Sequence, residues 1–209
     1  MIVFSLTAIS FSGCGRSDTS STSRTARDLL DALVVEQSID DGSYERPSFG
    51  DDYVDADNDC EDTRNELLIR ESQRATTGKC EVNTGYWQSD YEAFSASEAS
   101  EIEVDHLVAL KEAWISGASE WTDDRRERFF NDLDFEFTLS LMSETLNQSK
   151  GSRDPSSWLP AQATCEYVVR WVAVKYRWSL SVDADEKLRI EEILSEPCGE
   201  TRVDVTIAD

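Results

Sequence analysis

The chain holds a single histidine, His106, in Ile102-Glu103-Val104-Asp105-His106-Leu107-Val108, directly after an aspartate. An imidazole with a pKa near 6.5 is the natural proton acceptor at neutral pH. Downstream lies Asn147-Gln148-Ser149-Lys150-Gly151, followed by Asp154-Pro155 and Trp158-Leu159-Pro160. Asp105 and the side-chain oxygen of Asn147 are hard ligands that suit Mg²⁺, with Mn²⁺ as the alternative. Such an ion keeps several waters and borrows phosphate oxygens from a substrate. Lys150 falls on the same side of a helical turn as Asn147 and could neutralise a phosphate there. It could equally be an exposed lysine at a helix C-terminus. Taken alone, the Asp-His pair also fits a lone histidine satisfied by hydrogen bonds at a strand end.

Several elements must position these groups. Ile102 and Val104 alternate with Glu103 and Asp105, which predicts a short strand with one acidic face. Neighbours on a strand point to opposite faces, so Asp105 and His106 can share a site only at a strand end or a bulge. Glu103 shares the face of Asp105 and is either a further carboxylate around the site or a solvated one. Leu107 to Ile115 reads as a helix stopped at Gly117. Thr122 then caps a helix holding Arg125, Arg126, Arg128, Phe129 and Phe130. Phe135, Phe137, Leu139 and Leu141 alternate as a second strand, and residues 143–149 form a short helix that carries Asn147 and stops at Gly151.

The order Asp-His, variable segment, Asn-x-x-Lys-Gly and Trp-Leu-Pro resembles the secreted, GmrSD C-terminal-like branch of the HNH (ββα-metal) endonucleases, from about Ala26 to Cys198. The resemblance implies an α+β fold, with a ββα-metal (HNH) core at about 101–151 inside a mostly helical, disulfide-stapled single domain at 26–198. It implies that His106 activates water while Asp105 and Asn147 hold the divalent metal. The substrate implied is nucleic acid, DNA or RNA, met through its phosphate backbone. The middle Asn of the family's name aligns with Thr138, whose hydroxyl can still brace the base but with one fewer donor than an amide. Asn131-Asp132 could supply part of that bracing instead. Asp62-Thr63-Arg64 matches a family segment as well, so Arg64, and with it Arg70, is either a phosphate-binding guanidinium or part of a charge-paired surface helix. No basic recognition helix is present, which fits low sequence specificity. Three readings follow. The first is an exported metal-dependent endonuclease that hydrolyses phosphodiester bonds. The second is a surface-tethered, non-catalytic binding module that keeps the fold. The third is a phosphodiesterase acting on something smaller.

The net charge of −23, from 43 acidic against 20 basic residues, should repel nucleic acid at low salt. A halophilic setting would lift that objection, because the Debye length falls to about 3 Å at 1 M salt. The ends of the chain point to export. Residues 2–11 form an apolar run before Ser12-Gly13-Cys14, so residues 1–14 read as a signal segment with Cys14 lipidated. Residues 15–25 read as a Ser/Thr-rich tether and 199–209 as a tail, placing a monomer outside the cell or on the outer face of its membrane. Asp57-Asn58-Asp59 lacks the Gly and closing Glu of an EF-hand calcium loop. Two helices follow the core. Residues 161–179 carry Tyr167, Trp171, Val174 and Trp178 at helical spacing as a core stripe, and residues 184–195 start at Asp183 with Glu186 completing a capping box. As an antiparallel pair they bring Cys165 near Cys198, which leaves Cys60 to bond Cys80. Each bridge would contribute about 2–4 kcal/mol and implies an oxidising compartment.

Overall fold

The computed structural model describes residues 22–195 and 197–209. The expected signal segment, Cys14 and most of the expected tether lie outside the described residues. In chain order the elements are β1 (Thr22–Thr25), α1 (Ala26–Ala32), a 3-10 turn at Arg46–Phe49, α2 (Thr63–Glu71), β2 (Thr84–Gln88), β3 (Ser95–Glu98), β4 (Glu103–His106), α3 (Leu110–Ile115), α4 (Asp123–Phe130), β5 (Leu139–Met142), α5 (Glu144–Lys150), α6 (Thr164–Trp178), α7 (Ala184–Leu194) and β6 (Arg202–Val205). The chain is therefore a mixed α+β domain whose strands are short antiparallel pairs, β1 with β6, β2 with β3 and β4 with β5. The last residues assigned to a tether and the middle of the assigned tail are not loose segments. They pair with each other from Thr22 opposite Val205 to Thr25 opposite Arg202, which satisfies backbone groups that neither stretch could satisfy alone.

Local signals set most boundaries. Thr25 caps α1 in a full capping box with Asp28, and Asp62 and Thr122 accept from the backbone N–H groups of Asn65 and Arg125 to start α2 and α4. The stripe Tyr167, Trp171, Val174 and Trp178 is buried, so α6 is the central core helix. Each such side chain contributes about 1.5–3 kcal/mol by leaving water. Around it pack α1, α7, the Phe129–Phe130 end of α4, and Val203 and Val205 of β6. A second, smaller cluster gathers Leu67, Leu68, Trp87, Ile102, Leu139 and Leu141 beneath the two strand pairs of the middle of the chain. In it the Trp87 Nε1–H donates to the Leu68 carbonyl at 2.8 Å.

Two expectations about the C-terminal hairpin change. Asp183 does cap α7 through the Glu186 N–H, yet the Glu186 carboxylate does not turn back to complete a capping box. It lies fully buried between Lys175 Nζ and Trp171 Nε1, at 2.8 and 2.6 Å, because an unpaired buried ammonium on α6 costs more than an uncapped N–H exposed to water. The cysteines also differ. Cys60 and Cys80 form a disulfide, whereas Cys165 and Cys198 are free thiols. The 3-10 turn Pro197–Glu200 folds Cys198 back on its own helix, where its Sγ donates to the Ile193 carbonyl at 3.3 Å rather than meeting the start of α6.

Candidate active site

β4 and β5 pair without a bulge, Asp105 opposite Ser140 and His106 opposite Leu139. α5 follows β5 after Ser143, which caps it by accepting from the Leu146 N–H, and packs against β4. Gly151 ends α5 in a positive-φ conformation (φ 56°) that a side chain would disfavour. His106 is the last residue of β4, so the strand-end condition set by the Asp-His order is met.

The imidazole of His106 is 3% exposed and stacks between aromatic neighbours, 5.6 Å from the Phe129 ring and 5.1 Å from the Phe130 ring. Its Nε2 lies 2.9 Å from the Phe130 backbone carbonyl. A carbonyl oxygen can only accept, so Nε2 carries the proton and the neutral ring keeps its lone pair on Nδ1. Burial pushes the His106 pKa down to about 3; the Phe130 carbonyl works against that, and the positive charges of Lys150 and Arg46 add to it. Burial thus favours the neutral ring.

Asp105 sits beside it with a different partner. Its Oδ2 accepts from Lys150 Nζ at 2.6 Å, and the same ammonium donates to the His106 carbonyl at 2.9 Å. Lys150 is fully buried, so its charge binds the end of α5 to β4 and is not held out to solvent. Asp105 Oδ1 and the Asn147 side chain make no hydrogen bond with the described residues, and Asn147 is half-buried. Tyr167 Oη, fully buried and without a partner, lies close enough to Asp105 to feel its charge. Hard, unengaged oxygens on Asp105 and Asn147, with no thiol among them, fit a divalent cation of the Mg²⁺ class.

The remaining expected residues lie elsewhere. Thr138 is completely buried, and its Oγ1 donates to Asp132 Oδ2 at 2.7 Å rather than touching His106. Asp132 in turn receives both nitrogens of the Arg177 fork and the Trp178 Nε1–H, so this cluster ties β5 to α6. Thr138 reaches the site only through its backbone, its carbonyl accepting from the Leu107 N–H at 3.0 Å. Asn131 braces other elements, its Oδ1 accepting from the Val54 N–H and the Thr63 hydroxyl. The bracing carbonyl comes from the residue before it. Arg64 donates to the Ala99 and Ile102 carbonyls, fixing the entry to β4. Arg70 pairs with Glu71 and donates to the Leu133 carbonyl. Glu103 begins β4 with a half-buried side chain and no hydrogen bond to the described residues. Sequence reasoning missed Phe130, whose carbonyl sets the tautomer. The only signal was the doubled Phe at the end of a capped helix.

The family model described as GmrSD restriction endonucleases, C-terminal domain, matches residues 57–192. A relative from Arthroderma benhamiae, described as an uncharacterized secreted protein, is 33% identical over 174 residues, covering 82% of this chain and 84% of that protein. No solved structure matches the chain. No helix among the described residues is long and apolar enough to cross a membrane.

Proposed function

Because the chain belongs to the family of the GmrSD restriction endonuclease C-terminal domain, we propose that it is an exported, metal-dependent nuclease hydrolysing phosphodiester bonds of nucleic acid with low sequence specificity. In this reading β4, β5 and α5 are the ββα unit. The observation that carries it is the state of His106: a neutral ring whose Nε2–H is fixed on the Phe130 carbonyl, leaving the Nδ1 lone pair as base at the strand end that also carries Asp105.

His106 Nδ1 takes the proton of the attacking water as its oxygen bonds to phosphorus and the ester P–O bond breaks. The Phe130 carbonyl holds the ring in register and stabilises the imidazolium that forms, while the phosphate anion raises the proton affinity that burial has lowered. Asp105 Oδ1 and Asn147 would hold the divalent ion, which when bound supplies positive charge to the phosphate and the leaving oxygen. Lys150 orients the Asp105 carboxylate. The secreted description of the Arthroderma relative and the Cys60–Cys80 disulfide support export.

The second reading, a non-catalytic binding module, is favoured by two features of the same site. Lys150 already neutralises Asp105, and the His106 ring is deep. The two readings separate on degradation of plasmid DNA and of RNA by the oxidised protein with Mg²⁺ or Mn²⁺, from low to molar salt. Cleavage that EDTA and His106→Ala both abolish, in a variant with wild-type circular dichroism, supports the nuclease. Nucleic-acid binding without cleavage at any salt supports the module.

A further inference from the structure

The three cations expected to meet a phosphate, Arg64, Arg70 and Lys150, are all engaged by protein groups. We propose that Arg46, on the 3-10 turn before α2, is the residue that binds the substrate phosphate at this site, its guanidinium taking the non-bridging oxygens of a phosphodiester. The proposal rests on the nuclease reading for the identity of its ligand.

The geometry starts at Phe130. Its carbonyl fixes His106, its ring stacks on His106 at 5.1 Å, and the Arg46 guanidinium carbon lies 5.3 Å from the same ring. Arg46 is therefore no farther from the imidazole than those two distances combined, and its charge is felt at both His106 and Tyr53. Tyr53 stacks on Phe130 at 4.8 Å and also feels Asp105, so all four groups share one neighbourhood.

The mount is rigid. Pro47 follows Arg46 in the first half of the turn, and Phe49 is buried against Phe129 and Trp114. The Arg126 Nε–H holds the Ser48 carbonyl at 2.9 Å, so the turn is fastened to α4, the helix that ends in Phe130. Arg46 itself is exposed, with no carboxylate within ion-pairing distance among the described residues, although acidic residues outnumber basic ones by 43 to 20. In such a chain an arginine that meets no acid, in the neighbourhood of His106 and Asp105, has the arrangement of an anion site. A guanidinium is permanently charged, weakly hydrated and forked to match two phosphate oxygens. Arg46 also lies outside residues 57–192, so the family match says nothing of it.

The test uses the full chain with Arg46→Ala, Arg46→Lys and, as a charge control on α7, Arg189→Ala. NMR of arginine Nε–Hε signals during titration with dimethyl phosphate should shift the signal that Arg46→Ala deletes. Binding of a fluorescein-labelled oligonucleotide in EDTA should weaken about tenfold in Arg46→Ala, as expected for a lost charge-assisted hydrogen bond. The slope of log affinity against log salt should flatten by about 1. With metal, Arg46→Ala should raise KM and lower kcat, Arg46→Lys should restore binding more than rate, and Arg189→Ala should match wild type. Cleavage and oligonucleotide affinity unchanged in Arg46→Ala would overturn the proposal and leave the nuclease reading standing. A dimethyl phosphate shift at Arg46 in a protein that cuts no nucleic acid would do the reverse. No shift and no loss of affinity overturn the assignment in either case.

Discussion

His106, Asp105 and Lys150 show how one buried ammonium can organise a site it does not present to solvent. Lys150 Nζ reaches the Asp105 carboxylate and the His106 carbonyl at once, so the last turn of α5 fixes the end of β4. Replacing it by methionine keeps most of the volume but leaves a nearly buried carboxylate without its counter-charge. Lys150→Met should therefore destabilise the fold by about 3 kcal/mol, read as a lower urea midpoint at unchanged m. A midpoint equal to wild type would show that Asp105 is adequately solvated without Lys150. Thr138 makes the opposite case. It aligns with the Asn of the family's name, yet its hydroxyl serves Asp132 and it is completely buried. Thr138→Asn should cost about 1–3 kcal/mol through overpacking and leave cleavage no faster. A faster variant would return that position to the reacting groups.

At the scale of elements, what was legible in the sequence was whatever local chemistry decides. Thr122 capped α4, Asp183 capped α7, the aromatic stripe of α6 was core, and alternation at 102–105 and 135–142 foretold β4 and β5. The strand starting at Phe135 begins only at Leu139, because Phe135 and Phe137 pack edge-to-face on each other instead of pairing in the ladder. The illegible part depended on which way long polar side chains turn. Lys150 and Arg64 read as phosphate ligands or surface charges and Glu186 as part of a capping box, yet each points inward to a partner on another element. Arg46 carried no periodic signal, lying in an acidic loop whose path is set by Phe49. Cys60–Cys80 closes the segment that holds α2, where Asn65 Oδ1 also accepts from the Val82 N–H at 2.8 Å. Reduction should cost about 3 kcal/mol, measured as the shift in urea unfolding with and without dithiothreitol. A shift below a few tenths of that would mean the Asn65 contact already confines the loop.

Across the whole molecule, the most consequential charge cluster lies inside. Lys175 Nζ meets Glu112 and Glu186 at 2.8 Å each, joining α3, α6 and α7, and all three side chains are buried. One ammonium cannot balance two carboxylates, so burial pushes Glu112 up to about 7, against the pull of Lys175 and with the push of Glu186 and Asp154. The folded protein then keeps a proton that the unfolded chain releases above its ordinary value of 4.5. Stability conferred by this group is therefore full below 4.5 and is lost as pH rises toward 7, by up to about 1.4 kcal/mol per pH unit. Glu112→Gln should flatten that slope in urea melts between those limits, and an unchanged slope would place the proton elsewhere. The register of the β1–β6 pair sets Thr22 beside Val205 and Thr25 beside Arg202. A pull applied outward on both flanks meets the Arg177 contacts with Thr206 and Ala208 and then reaches Thr22 and Val205, which are direct partners. The load then falls on the outermost rungs in turn, as a zipper opens, and not on the whole ladder in shear. Under tension the Arg177 contacts of α6 should give way first, and the two strands should then peel apart at low force.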